Sequence, residues 1–282
     1  MSQIDPQRFV ETMTPVVRQC AQASSIFYGR VANLGKTADT SLIGQLAQDA
    51  SSAFTAIDSA IQDIILSVAL PYYSGVTCIA EENTPFKRRF SNRDSDYAII
   101  LDPIDGTLHF QKGDGPYHVS LGLAYRGVMI AAIVARPTED KVFTAIRGNG
   151  AYVQRGSSCP RRLRLPPTAA TNRAFISSKA RPFQKLCKQR LVPRERPIGA
   201  ALVLTQLAEG EICAYLTRQV EVHDVGPPSL IAEEAGATCF LRRGVPRYRT
   251  RRKFAFYMAA ADADLKAFLL GLTKMPNGSA QM

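Results

Sequence analysis

Apolar residues between Met1 and Arg18 fall along one side of a helix. Phe9, Val10, Met13, Val16 and Val17 share the spacing of an amphipathic α-helix. The same spacing of Ala, Ile and Leu predicts a second helix over 42–70, closed by Pro71. The pattern then changes to short apolar runs. Val76 to Ala80 ends in Glu81-Glu82, residues 83–96 read as a polar loop, and Tyr97 to Leu101 ends on Asp102. Two predicted strands thus deliver carboxylates at their C-terminal ends. From Val119 an antiparallel meander is predicted. Val119–Tyr125 and Val128–Ala135 flank Arg126-Gly127, and Val142–Ile146 and Ala151–Gln154 flank Gly148-Asn149-Gly150.

The Arg-, Pro- and Ser-rich segment 155–171 is the best boundary between two halves, taken as 1–160 and 161–282. After it come a strand at Arg173–Ser177, a helix at Ala200–Ala208 and a strand at Ile212–Leu216. A helix at Pro227–Ala235, with Gly236 just past its end, leads into a strand at Thr238–Leu241. This order predicts a layered α/β or α+β architecture.

Composition narrows the chemistry. Of 282 residues, 46% are hydrophobic and 21% charged, ordinary globular usage. No apolar stretch reaches membrane-span length, and no secretory signal is read at the N-terminus. Cys20, Cys78, Cys159, Cys187, Cys213 and Cys239 are scattered, which argues against a disulfide framework or zinc site and for a cytoplasmic location. His109, His118 and His223 form no ligand pattern, so any metal must be held by oxygen, as magnesium is. The net charge of +11 favours anionic partners, and Arg242 to Lys253 holds seven basic residues and no acid. That run reads either as a solvated loop or as an anion-binding surface.

The strongest local signal is Leu101-Asp102-Pro103-Ile104-Asp105-Gly106-Thr107. Pro103 restricts the backbone and Gly106 frees it, so both aspartates can converge with the Ile104 carbonyl between them. Converging carboxylates repel unless a divalent ion lies between them. A helix starting at Gly106 or Thr107 would turn its N–H groups toward a phosphate. The alternative reading is a surface turn, since Asp-Pro and Asp-Gly are common there.

Ala80-Glu81-Glu82, the Leu101–Thr107 peptide, Gly148–Tyr152, Gly199-Ala200-Ala201, His223-Asp224-Val225 and Leu230–Ala237 together resemble the inositol monophosphatase family. The resemblance implies a layered α-β-α-β-α sandwich, usually dimeric. It also implies magnesium-dependent, lithium-sensitive hydrolysis of a small phosphate ester with two or three ions. It assigns metal ligation to Glu81, Asp102, Ile104, Asp105 and Asp224, and water orientation to Glu81 and Thr107. Phosphate and substrate contacts fall to Asp105, Gly106, Thr107, Ser177, Gly199 and Ala201. The family's Thr-x-x-Asp, which supports a third metal, is matched here to Leu46-Ala47-Gln48-Asp49, with only Asp49 retained.

Other positions depart from the pattern. His223 stands where the family has Trp, either packing there or touching substrate. Thr217 stands at the inositol-binding glutamate, with Arg218 beside it; Arg218 either grips a second anionic group or faces solvent. The first alternative predicts that a bisphosphate such as fructose 1,6-bisphosphate is preferred to inositol 1-phosphate. Rival readings are a 3′(2′),5′-bisphosphate nucleotidase and, in another class, a non-catalytic basic homologue that binds RNA. The convergent acids argue against nucleic acid as the partner.

Overall fold

In the computed structural model the described residues are 3–32, 55–90, 94–193, 199–249 and 253–274. Asp5 caps helix α1 (Pro6–Ser24), which buries Phe9, Met13, Val17, Cys20 and Ala21. Helix α2 (Ala56–Tyr73) starts at Thr55, where Thr55 and Asp58 form a capping box. The predicted residues 42–54, Asp49 among them, lie outside the described residues. Pro71 does not close α2 but sits inside its last turn. There it removes only one late hydrogen bond, while Ala69 and Tyr73 remain buried on either side of it.

The first sheet has seven strands in chain order: β1 (Thr77–Ala80), β2 (Tyr97–Asp105), β3 (His118–Tyr125), β4 (Val128–Arg136), β5 (Lys141–Ile146), β6 (Gly150–Arg155) and β7 (Arg161–Leu163). β1 lies parallel to β2, and the remaining neighbours are antiparallel. Arg161–Leu163, which carries two arginines, is thus the edge strand opposite β1. A short helix, α3 (Thr107–Lys112), leaves the end of β2.

The second sheet has the order β11-β12-β10-β8-β9, built from β8 (Arg173–Ile176), β9 (Val192–Pro193), β10 (Ala214–Thr217), β11 (Thr238–Phe240) and β12 (Tyr257–Ala260). Its helices are α4 (Arg181–Cys187), α5 (Ala200–Ala208), α6 (Val222–Ala235) and α7 (Ala263–Lys274). α6 begins at Val222, ahead of the predicted Pro227. The cause is a capping box in which the Glu221 N–H donates to Asp224 Oδ2 at 3.2 Å. Pro227 and Pro228 therefore lie inside the helix, where they deprive the carbonyls of His223 and Asp224 of their partners four residues on.

The layers follow from side-chain alternation. Tyr97, Ile99 and Leu101 of β2 pack into the core shared with α1 and α2, whereas Ala98 and Ile100 pack toward α6. α5 and α6 lie between the two sheets, and α4 and α7 cover the outer face of the second. The result is an α-β-α-β-α stack. Among the described residues no helix is long and apolar enough to cross a membrane.

Candidate active site

β2 carries its two aspartates on an irregular strand end rather than a surface turn. Its pairing with β3 shifts register between Asp102 and Asp105. Such a bulge re-aims side chains. Pro103 falls in this unpaired stretch, where no ladder hydrogen bond needs its missing N–H. Gly106 follows with φ +92°, a left-handed conformation that turns the chain into α3. Thr107 Oγ1 then reaches back to the Ile104 carbonyl at 2.9 Å and to Asp58 Oδ1 at 3.3 Å.

Asp58 is the residue that sequence reasoning missed. Its Oδ2 accepts the Thr55 N–H at 2.9 Å and the Thr55 hydroxyl at 2.6 Å. Ligand atoms of Asp58, Glu81 and Glu82 lie within 4.8 Å of one another. Asp58 has the Thr-x-x-Asp spacing in Thr55-Ala56-Ile57-Asp58 and stands beside Glu81 in a group that could hold a metal ion, whereas Asp49 lies outside the described residues. The signal was present as a capping box opening an apolar helix, but the Leu46–Asp49 segment was matched instead.

The second half supplies the other wall. The Ala201 N–H donates to Asp105 Oδ2 at 2.7 Å, and a Cβ on Gly199 would collide with both oxygens of that carboxylate. Gly199 and Ala201 thus orient the Asp105 carboxylate. Asp224 enters from the first turn of α6, and His223 Nε2 lies 3.2 Å from its Oδ1. His223 is buried, consistent with packing in the Trp position. Thr217 Oγ1 donates to Ser177 Oγ at 2.8 Å, so these two predicted substrate residues form one hydroxyl pair.

Arg218 is not brought to that pair. Its guanidinium lies over the Phe256 ring at 4.9 Å, with Arg242 over the same ring at 5.8 Å. Arg218 lies just past the end of β10 at Thr217. Lys179, unnoticed in the sequence, bonds to the Gln219 carbonyl at 3.3 Å, and its charge favours the ionised form of Asp224.

Electrostatics mark the cluster. Burial, then the charges of Glu81, Asp105 and Asp224, hold the Asp102 carboxyl well above the usual carboxylate range. Burial and Asp224 push Asp105 up to about 8, although the Ala201 N–H opposes this. Burial also raises Asp224, and it pushes Asp58 to about 6 against the hydrogen bonds from Thr55. Asp102 Oδ1 is buried without a hydrogen-bond donor. Acids collected in this way, with an orphaned oxygen among them, fit a divalent cation.

Two motif segments prove structural. Glu234 of α6 accepts the Gly148 N–H at 3.0 Å and the Gly150 N–H at 2.9 Å, while Glu233 pairs with Arg147 at 2.7 Å. The Gly148–Gly150 hairpin is therefore clamped by the end of α6.

Comparison with known proteins agrees. A Nus factor SuhB from Pasteurella multocida is 30% identical over 226 residues, covering 76% of this chain and 80% of that one. An inositol-1-monophosphatase from Mycobacterium bovis is 34% identical over 154 residues, covering 50% of this chain and 52% of that one. The structure of an inositol monophosphatase from Anabaena superposes with a TM-score of 0.75 at 19% identity, covering 97% of this chain and 98% of that one. The model of the inositol monophosphatase family matches residues 11–267, a span that holds every acid gathered here from α2, β1, β2 and α6, and the chain belongs to that family.

Proposed function

We propose that the chain hydrolyses a small phosphate monoester, a sugar or polyol phosphate, with magnesium as its cofactor. Asp102 carries this reading: its buried carboxylate has one oxygen without a donor and is surrounded by Glu81, Asp105 and Asp224. Those three, Asp102 and the Ile104 carbonyl would hold two ions, with Asp58 serving a third beside Glu81. When bound, such ions supply charge neutralisation for the phosphoryl group and a more acidic water.

The other tasks fall to the chain's own groups. The single proton of Thr107 Oγ1 is shared between the Ile104 carbonyl and Asp58 Oδ1. A water that donates to Thr107 Oγ1 could thereby pass a proton to Asp58. Gly106 and Thr107 open α3, where first-turn N–H groups have no acceptor within the helix, so their amides would suit phosphate oxygens. The Ser177–Thr217 hydroxyl pair is uncharged and suits substrate hydroxyls. A homodimer in the cytoplasm completes the proposal, and light scattering of purified protein tests the dimer.

The deciding experiment is a phosphate-release screen with and without magnesium. Its substrates are inositol phosphates, fructose 1,6-bisphosphate, other sugar phosphates and 3′-phosphoadenosine phosphate. Release should require magnesium, and Asp102→Asn should lower it by about 10² or more. Near-normal turnover of that variant at saturating magnesium rejects the metal assignment. The net charge of +11 favours a second reading, a non-catalytic polyanion binder. Salt-sensitive RNA binding without phosphate release would support it.

A further inference from the structure

The backbone around Glu81 and Glu82 is held at every turn. The Glu81 N–H donates to the Leu101 carbonyl at 3.1 Å, which extends the β1–β2 ladder by one step and sets Glu81 beside Asp102. The next peptide is met by a side chain. Gln62 Oε1 accepts the Glu82 N–H at 2.9 Å, and Gln62 Nε2 donates to the Glu82 carbonyl at 2.8 Å. The same Nε2 also donates to Thr84 Oγ1 at 2.9 Å, which fixes the orientation of the amide. Lys87 Nζ bonds the Ala80 carbonyl at 2.6 Å and the Glu82 carbonyl at 2.9 Å. Gln62 is fully buried and follows Asp58 by one turn on the same face of α2.

A primary amide that both donates to and accepts from one residue's backbone acts as a substitute strand neighbour. Here it ties the helix that carries Asp58 to the strand end that carries Glu81. Without that tie, three acids whose ligand atoms lie within 4.8 Å would relax apart to relieve their repulsion. We infer that Gln62, supported by Thr84, is a positioning residue for divalent-metal binding: it holds Glu81 against Asp58 before any ion arrives. The inference rests on the metal reading proposed above.

The test measures Mn2+ binding by electron paramagnetic resonance and Mg2+ binding by calorimetry, with melting temperature and kcat followed alongside. Outer partners of metal ligands typically change affinity by 10–100-fold. Gln62→Met should raise both dissociation constants about tenfold. Thr84→Val, which removes only the amide's anchor, should raise them about threefold. In both variants kcat at saturating magnesium should stay within about threefold of wild type, while the magnesium activation constant moves with the dissociation constant. A lower melting temperature with unchanged affinity in either folded variant overturns the positioning role. If Gln62→Met does not fold, Thr84→Val decides alone. Wild-type protein that binds neither ion overturns the metal reading itself.

Discussion

Replacing Asp58 with asparagine should separate function from stability. Asp58 is fully buried and capped by Thr55, and Asp58→Asn keeps its shape. The asparagine carbonyl oxygen can still accept both Thr55 donors, which leaves the amide nitrogen facing Thr107. Thr107 then has no acidic acceptor for a proton, and kcat should fall by about 10²–10⁴, the usual worth of a positioned base. Stability should move the other way. The folded Asp58 pKa is raised from 3.8 to about 6, so wild type loses stability as pH climbs through that window and the loss is complete above it. At about 1.4 kcal/mol per pH unit the penalty approaches 3 kcal/mol. In EDTA at pH 8, Asp58→Asn should therefore unfold at higher urea than wild type, and most of that advantage should vanish at pH 4. Paired urea titrations and phosphate-release assays check this. A variant that is both less stable at pH 8 and fully active would refute the assignment of Asp58.

Three further outcomes follow from the geometry. Thr55-Ala56-Ile57-Asp58 supplies what Leu46–Asp49 lacked, so lithium chloride should inhibit phosphate release more than equal sodium chloride; equal inhibition removes lithium sensitivity from the reading. Arg218 stacks on Phe256, so Arg218→Ala should leave the ratio of kcat/KM for fructose 1,6-bisphosphate over inositol 1-phosphate within about twofold, and a larger change returns Arg218 to the substrate site. Burial and the neighbouring Arg136 hold His118 well below its ordinary pKa, and Arg136 is itself bound to Glu139, Glu209 and Thr205. Only the unfolded chain then takes up this proton, so the His118 contribution to stability falls below about pH 6.5 by up to about 1.4 kcal/mol per pH unit, against the gain from Asp58. Below pH 6.5 the urea midpoint of His118→Gln should rise relative to wild type as pH falls, and a difference that does not change with pH refutes it.

The strand ends that present Glu81 and Asp102 were legible because short apolar runs stopping at acids are local signals. The Ala200–Ala208 helix was legible as well. The start of α6 was not, because proline was read as an opening when Glu221 and Asp224 had already nucleated the helix. Asp58 was missed because the helical periodicity read through 42–70 hid the cap at Thr55. The sequence left Arg218 open between a second anionic group and solvent, because its stacking on Phe256, 38 residues on, leaves no local signal. The five-layer stack itself came from the family resemblance; pattern alone reached only a layered mixture of helix and strand.

The grip of Glu234 on Gly148 and Gly150 has a consequence for the order of assembly. It spans 84 to 86 residues of chain and anchors the far end of the helix whose near end supplies Asp224. During synthesis the first sheet can emerge with Glu81, Asp102 and Asp105 in place, yet it lacks both the last carboxylate and the helix that covers its inner face. Closure of such distant contacts is slow, and the uncovered sheet face is sticky while it waits. A chain halted before residue 222, where α6 begins, should therefore be an aggregating intermediate rather than a weaker version of the whole.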